Sequence, residues 1–124
     1  MWDAMNCGNG FVTLHPDTEI TFVGHCKGGG EAIATADYTN KNAITFNAAK
    51  FKFSKYVSGK GIGTIDNYYV EGEVLSSNLG VSDIGTTHWL NTQYWKTVSY
   101  KHYKSRIPDP IKNHSMDAVI KALD

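Results

Sequence analysis

The stretch Ile20-Thr21-Phe22-Val23-Gly24-His25-Cys26-Lys27-Gly28-Gly29 decides how this chain is read. Residues 19–24 are rich in β-formers, and their near-continuous apolar run suits a strand buried on both faces. Residues 31–38, with three alanines and an isoleucine among them, are helix-compatible. Between the two lies G-x-C-x-G, with Cys26 at its centre. A nucleophile on a sharp strand-to-helix turn projects above the sheet. Its flanks must be small, because the turn brings the strand and helix backbones together; Gly24 and Gly28 stand there. The helix start behind Cys26 offers free N–H groups and a positive dipole end, which favour a thiolate and a developing oxyanion. The N–H of the following residue, Lys27, is the expected oxyanion donor. A structural turn with Cys26 as a small filler is the competing reading. A phosphate-binding glycine loop is another, although the stretch has neither G-x-G-x-x-G nor a G-K-[ST] ending.

Outward from this stretch, the order of elements is α/β. Residues 43–47 and 64–70 read as two further buried-type strands, which suggests a mainly parallel sheet with flanking helices. A glycine-containing loop, residues 58–63, separates them. Residues 11–14 are compatible with a short strand after the Gly8-Asn9-Gly10 turn signal. Residues 86–90 and 95–100 suggest two more strands, joined as a hairpin across residues 91–94. Residues 115–123 read as an amphipathic helix with Ser115 as its N-cap. Met116, Val119, Ile120 and Leu123 fall on one helical face.

At 124 residues, the chain is expected to be one domain, residues 1–124. Twelve basic residues balance twelve acidic ones, so no nucleic-acid partner is expected. The segment 96–112 is locally basic and carries Tyr100 and Tyr103; it reads as a solvated face. Trp89 and Trp95 read as core or oligomer contacts. Cys7 and Cys26 are too few for a disulfide scaffold. No CxxC or HExxH is present, and His15, His88 and His102 lack ligand-spaced companions, so neither metal nor cofactor is expected. A signal peptide and a long apolar run are both missing from the sequence, which makes a cytoplasmic protein without a transmembrane segment the expectation.

The Gly24-His25-Cys26-Lys27-Gly28-Gly29 stretch resembles the nucleophile elbow of the class 3 lipases, α/β-hydrolases whose elbow reads Gly-His-Ser-Leu-Gly-Gly. Cys26 replaces the serine and Lys27 the leucine. The likeness continues in order along the chain. Ile44-Thr45-Phe46-Asn47-Ala48 is similar to the strand after the elbow helix. Tyr68-Tyr69-Val70-Glu71-Gly72-Glu73 is similar to the strand end that delivers the acid, with Glu73 at the acid position. Ile84-Gly85-Thr86 is similar to the following glycine turn. His114 falls where the catalytic histidine is expected. The resemblance implies a catalytic Cys26-Glu73-His114 triad acting through a thioester on an ester or lipid-like substrate. Gly24, His25, Gly28 and Gly29 would support the elbow. Glu71, Asp66, Asp83 and Asp109 are rival acids.

Only 18 residues precede the elbow strand where the family has several strands and a helix. The resemblance therefore implies a partial α/β-hydrolase fold, N-terminally truncated. It would correspond to the C-terminal half of the fold from the elbow strand onward, without the N-terminal strands or the loop that gives a second oxyanion donor. A homo-oligomer or partner chain is expected to cover the exposed sheet edge. The alternative is an inactive partial hydrolase fold serving as a binding or assembly module.

Overall fold

In the computed structural model, residues 2–52 and 57–124 are described. Four strands, β1 (Thr21–His25), β2 (Asn42–Phe46), β3 (Ile65–Val70) and β4 (Thr86–Leu90), form one parallel sheet in the order β1-β2-β3-β4. The register runs straight across its upper end, where His25 pairs with Phe46, Phe46 with Tyr68, and Tyr68 with His88. All four strands point the same way, so their C-terminal ends share one edge, where ligands bind in open α/β sheets.

Helix α1 (Trp2–Leu14) and helix α2 (Lys27–Thr39) lie on one face of the sheet. Ile33, Ala34 and Ala36 of α2 are fully buried, and the larger core cluster joins Met5, Ala32, Ala43, Val57, Ile65 and Ile84 to them. The alanines let α2 approach the sheet closely. The strand anticipated at residues 11–14 is instead the last turn of α1. Two glycines lie inside that helix against local propensity. At Gly8 the reason is contact, because a Cβ there would sit 2.2 Å from Thr35 Cγ2.

The opposite face is covered at its upper end by α4 (Met116–Leu123), whose Ala118 and Val119 pack with Val70, Phe46 and Leu90. Ser115 caps α4 by accepting from Ala118 N–H at 3.2 Å. Ile120 and Leu123 stay exposed, so only part of the apolar stripe read from the sequence is buried. Below α4 this face is open: Val23 is 64% exposed and Ile44, its partner on β2, 37%. The expectation of burial on both faces therefore fails for β1 and β2 in that row.

The expected hairpin lies one strand later. β4 pairs with β3, whereas β5 (Trp95–Tyr100) pairs antiparallel with β6 (Tyr103–Pro108) across Lys101 and His102. Lys101 takes a positive φ of 53° in that turn. β-propensity marks both 86–90 and 95–100 as strands but does not say which neighbour each will pair with. Trp89 and Trp95 are 52% and 47% exposed, so neither is a core residue. A short helix, α3 (Val74–Leu79), follows β3 and had no signal in the sequence reading.

Candidate active site

Cys26 sits between β1 and α2 with φ 57° and ψ −123°. A non-glycine residue in this region is strained by roughly 1–3 kcal/mol and persists only where its surroundings over-determine it. They do so here through four backbone hydrogen bonds. The Cys26 carbonyl accepts from Gly29 N–H at 3.1 Å, Gly30 N–H at 3.2 Å and Ala49 N–H at 2.8 Å, and its N–H donates to the Phe46 carbonyl at 3.2 Å. The helix thus starts at Lys27, four residues earlier than its alanines suggest. The three glycines form its first turn.

The close backbone approach is made at Gly24 and Gly29. A Cβ on Gly24 would lie 2.1 Å from the Gly28 carbonyl oxygen, and one on Gly29 would lie 2.8 Å from Ala48 Cβ. At Gly28 an added Cβ would meet nothing within 4 Å. The steric reason anticipated for both flanks therefore holds for Gly24 alone, and Gly28 faces open space. The N–H groups of Lys27 and Gly28 find no acceptor among the described residues. The Cys26 thiol is half-buried and free, as is the exposed thiol of Cys7.

Glu73 lies three residues beyond the end of β3, past the turn at Gly72 (φ 80°). It is the N-cap of α3, and its carboxylate is wholly buried. That carboxylate accepts from Leu75 N–H at 3.1 Å, Ser76 N–H at 2.5 Å and His114 Nδ1 at 2.6 Å. With Nδ1 donating to the carboxylate, the neutral imidazole leaves Nε2 as its basic nitrogen. His114 closes a 3-10 turn (Lys112–His114), and its side chain is 18% exposed.

His25 ties that turn to the elbow. Its Nε2 donates to the His114 carbonyl at 2.7 Å, and the two rings lie 4.9 Å apart, centroid to centroid. The His114 ring therefore stands beside the residue that immediately precedes Cys26. No hydrogen bond joins the Cys26 thiol to His114 among the described residues. Such contacts are often long in a site without substrate.

Two asparagines that the sequence reading passed over hold this arrangement. Asn47 (φ 47°) donates from its amide to the carbonyls of Asn113 and His114, both at 3.1 Å, and accepts from Val70 N–H at 2.9 Å. Asn113 accepts from Gln93 and Tyr94 N–H and donates to the Tyr94 and Asp109 carbonyls. Both are fully buried. The available signal was their type, since asparagine tolerates positive φ and supplies both donors and acceptors.

The rival acids are engaged elsewhere or exposed. Asp66 pairs with His88 at 2.8 Å and Asp83 with Lys50 at 3.5 Å, while Glu71 is exposed. Asp109 accepts from Ile111 and Lys112 N–H in the loop before His114. The Lys112 N–H, more than any other group, holds its carboxyl below the ordinary 3.8. No group of three metal-ligating side chains occurs among the described residues. Beside the elbow, a cavity of about 440 Å³ between α1 and α2 is lined by Phe11, Phe22, Val23, Gly28 and Ala32, among others.

A parallel sheet with helices on its faces and a strained strand-to-helix bend at its first strand defines a partial α/β-hydrolase-like protein. The profile of a phospholipase-like family, described as the Tle-like phospholipase domain, matches residues 3–109, and the chain belongs to that family. The match takes in Cys26 and Glu73 and ends before His114. No curated protein matches the sequence.

Proposed function

We propose that the chain is a lipase-like carboxylic-ester hydrolase in which Cys26, Glu73 and His114 act in series, in the order seen in class 3 lipases. The observation that carries this reading is the buried Glu73–His114 pair, 2.6 Å apart, set against the strained turn that bears the thiol. His114 Nε2 takes the proton from the thiol, and Sγ attacks the ester carbonyl. The tetrahedral oxyanion is received by the N–H of Lys27. The C–O bond then breaks, the alkoxide leaves with the proton held by His114, and a thioester remains on Cys26. Water, deprotonated by His114, attacks the thioester. The S–C bond breaks, the acid departs and the thiol is restored. Glu73 holds the imidazole in the productive tautomer and stabilises its cation.

The match to a phospholipase-like family supports a lipid ester as substrate. The apolar cavity lined by Gly28, two residues from Cys26, offers a place for its acyl chain. A missing oxyanion donor typically costs on the order of 100-fold in rate, so a second donor is needed. It would come with whatever covers β1, which has no outer neighbour among the described strands. On this reading the chain corresponds to the half of an α/β-hydrolase from the elbow strand onward, completed by a second copy or a partner chain.

Alkylation by iodoacetamide, resolved by peptide mass spectrometry, tests the site. Cys26 should be labelled faster than the more exposed free thiol of Cys7, and Cys26→Ala should abolish ester cleavage. Labelling no faster than at Cys7, together with an unimpaired alanine variant, would leave the alternative, an inactive binding or assembly module. The unbonded thiol is the feature that favours that alternative.

A further inference from the structure

The β5–β6 hairpin has no place in the chemistry above, and its make-up is unusual. Residues 95–108 contain four cations, Lys96, Lys101, Lys104 and Arg106, and no carboxylate. The ladder sorts the side chains onto two faces. One face presents Lys96, Val98, Tyr100, Tyr103 and Ile107. The other presents Trp95, Lys104 and Arg106, with the Arg106 guanidinium 5.6 Å above the Trp95 ring. Tyr100 and Tyr103, opposite each other at the tip, are 73% and 78% exposed, and all of β5 is exposed. An isolated two-stranded hairpin is marginal in water, and this one leaves its apolar face without a core behind it.

Its placement adds direction. The hairpin follows β4, so it leaves from the sheet edge that carries Cys26 and Glu73. Asp109 N–H closes its base on the Tyr94 carbonyl at 2.9 Å. Pro108 lies against the Gly72 turn so tightly that a Cβ on Gly72 would come within 2.4 Å of Pro108 Cβ. Its base is thus fastened to the turn that positions Glu73, and five residues separate Pro108 from His114.

We propose that this hairpin docks the protein on an anionic phospholipid surface, with Tyr100 and Tyr103 entering the headgroup layer and the cations held against lipid phosphates. Tyrosine and tryptophan settle at membrane–water interfaces because their rings are apolar and their tips polar. Basic residues at such a surface each add roughly fivefold to binding. The same cations and tyrosines could contact a nucleic acid. However, the chain balances twelve basic residues with twelve acidic ones, without the basic excess of a nucleic-acid site, and Val98 and Ile107 extend the tyrosine face with aliphatic side chains that suit the lipid side of an interface.

Flotation of the full chain with phosphatidylcholine vesicles, with and without phosphatidylglycerol, reads the inference directly. Binding should require the anionic lipid and weaken with salt. It should fall at least about tenfold in Lys101→Glu/Lys104→Glu and also drop in Tyr100→Ala/Tyr103→Ala. Absence of binding to anionic vesicles, or binding by both variants as tight as that of the unaltered chain, would overturn it. So would tighter retention of a single-stranded oligonucleotide than of anionic vesicles at the same salt. Cleavage of a soluble short-chain ester by the unaltered chain is measured separately. Vesicle binding without such cleavage would remove the catalytic reading and leave the docking surface standing.

Discussion

At the scale of single residues, two glycines that look alike in the sequence do different work. Gly24 is pressed against the Gly28 carbonyl, whereas Gly28 faces open space. Gly24→Ala should therefore cost several kcal/mol, more than the usual roughly 1–3 kcal/mol of overpacking, because backbone rather than a side chain must move. Gly28→Ala should be neutral or stabilise by up to about 1 kcal/mol, as helical glycine-to-alanine changes do. Urea unfolding of the two variants makes the comparison, and equal losses would refute the geometry drawn for the turn. Glu73 is the other residue on which much hangs. Its carboxylate receives three N–H groups in a site closed to water. In Glu73→Gln the new amide would turn an N–H toward donors. The expected destabilisation is about 1–3 kcal/mol. If the triad reading is right, ester turnover should fall by about 10³–10⁴. Retained turnover in that variant, measured as kcat/KM, would remove Glu73 from the chemistry.

At the scale of elements, the loop from Asp109 to His114 is the piece whose order the site depends on. Asp109 braces it by accepting from Ile111 and Lys112 N–H. Because its folded pKa lies below the unfolded 3.8, its contribution is present above that value and is lost as pH falls through the lower, folded value. Asp109→Asn should therefore lower stability at neutral pH and flatten the acid limb below about 3.8, the two proteins converging at the acid end. Thermal unfolding across that range tests this; an unchanged acid limb would mean that other carboxylates dominate it. Element identity was only partly legible. The parallel strands at β1, β2 and β3 followed from β-branched and aromatic runs bounded by turn residues, and Ser115 announced α4. Helix α1 did not, since Gly8 and Gly10 argue against a helix and only the contact with Thr35 explains the first of them. The hairpin was displaced because strand propensity names segments and not partners.

At the scale of the whole molecule, the outer edge of β1 is the exposed liability. Asn42 N–H donates to the Ile20 carbonyl and Cys26 N–H to the Phe46 carbonyl. The alternation of a parallel ladder therefore turns the N–H and C=O groups of Thr21, Val23 and His25 outward. Such a row templates another strand. Sedimentation velocity should show self-association of the chain, and Val23→Pro, which removes the central outward donor, should return it to monomer. A wild-type chain that stays monomeric at high concentration would rule out a second copy there.

The strained strand-to-helix turn at Cys26 was legible in the sequence, because it depends on a few neighbouring residues and their backbone needs. Glu73 and His114 were singled out only by the order of segments that resemble class 3 lipases. Tertiary structure alone decided that the His114 ring meets Glu73 and lies beside His25. It decided that Asn47 and Asn113 clamp that loop, that Gly28 is open while Gly24 is not, and that Val23 faces solvent. Those outcomes depend on which surfaces meet across dozens of residues, and contacts between distant segments leave no local pattern from which to read them.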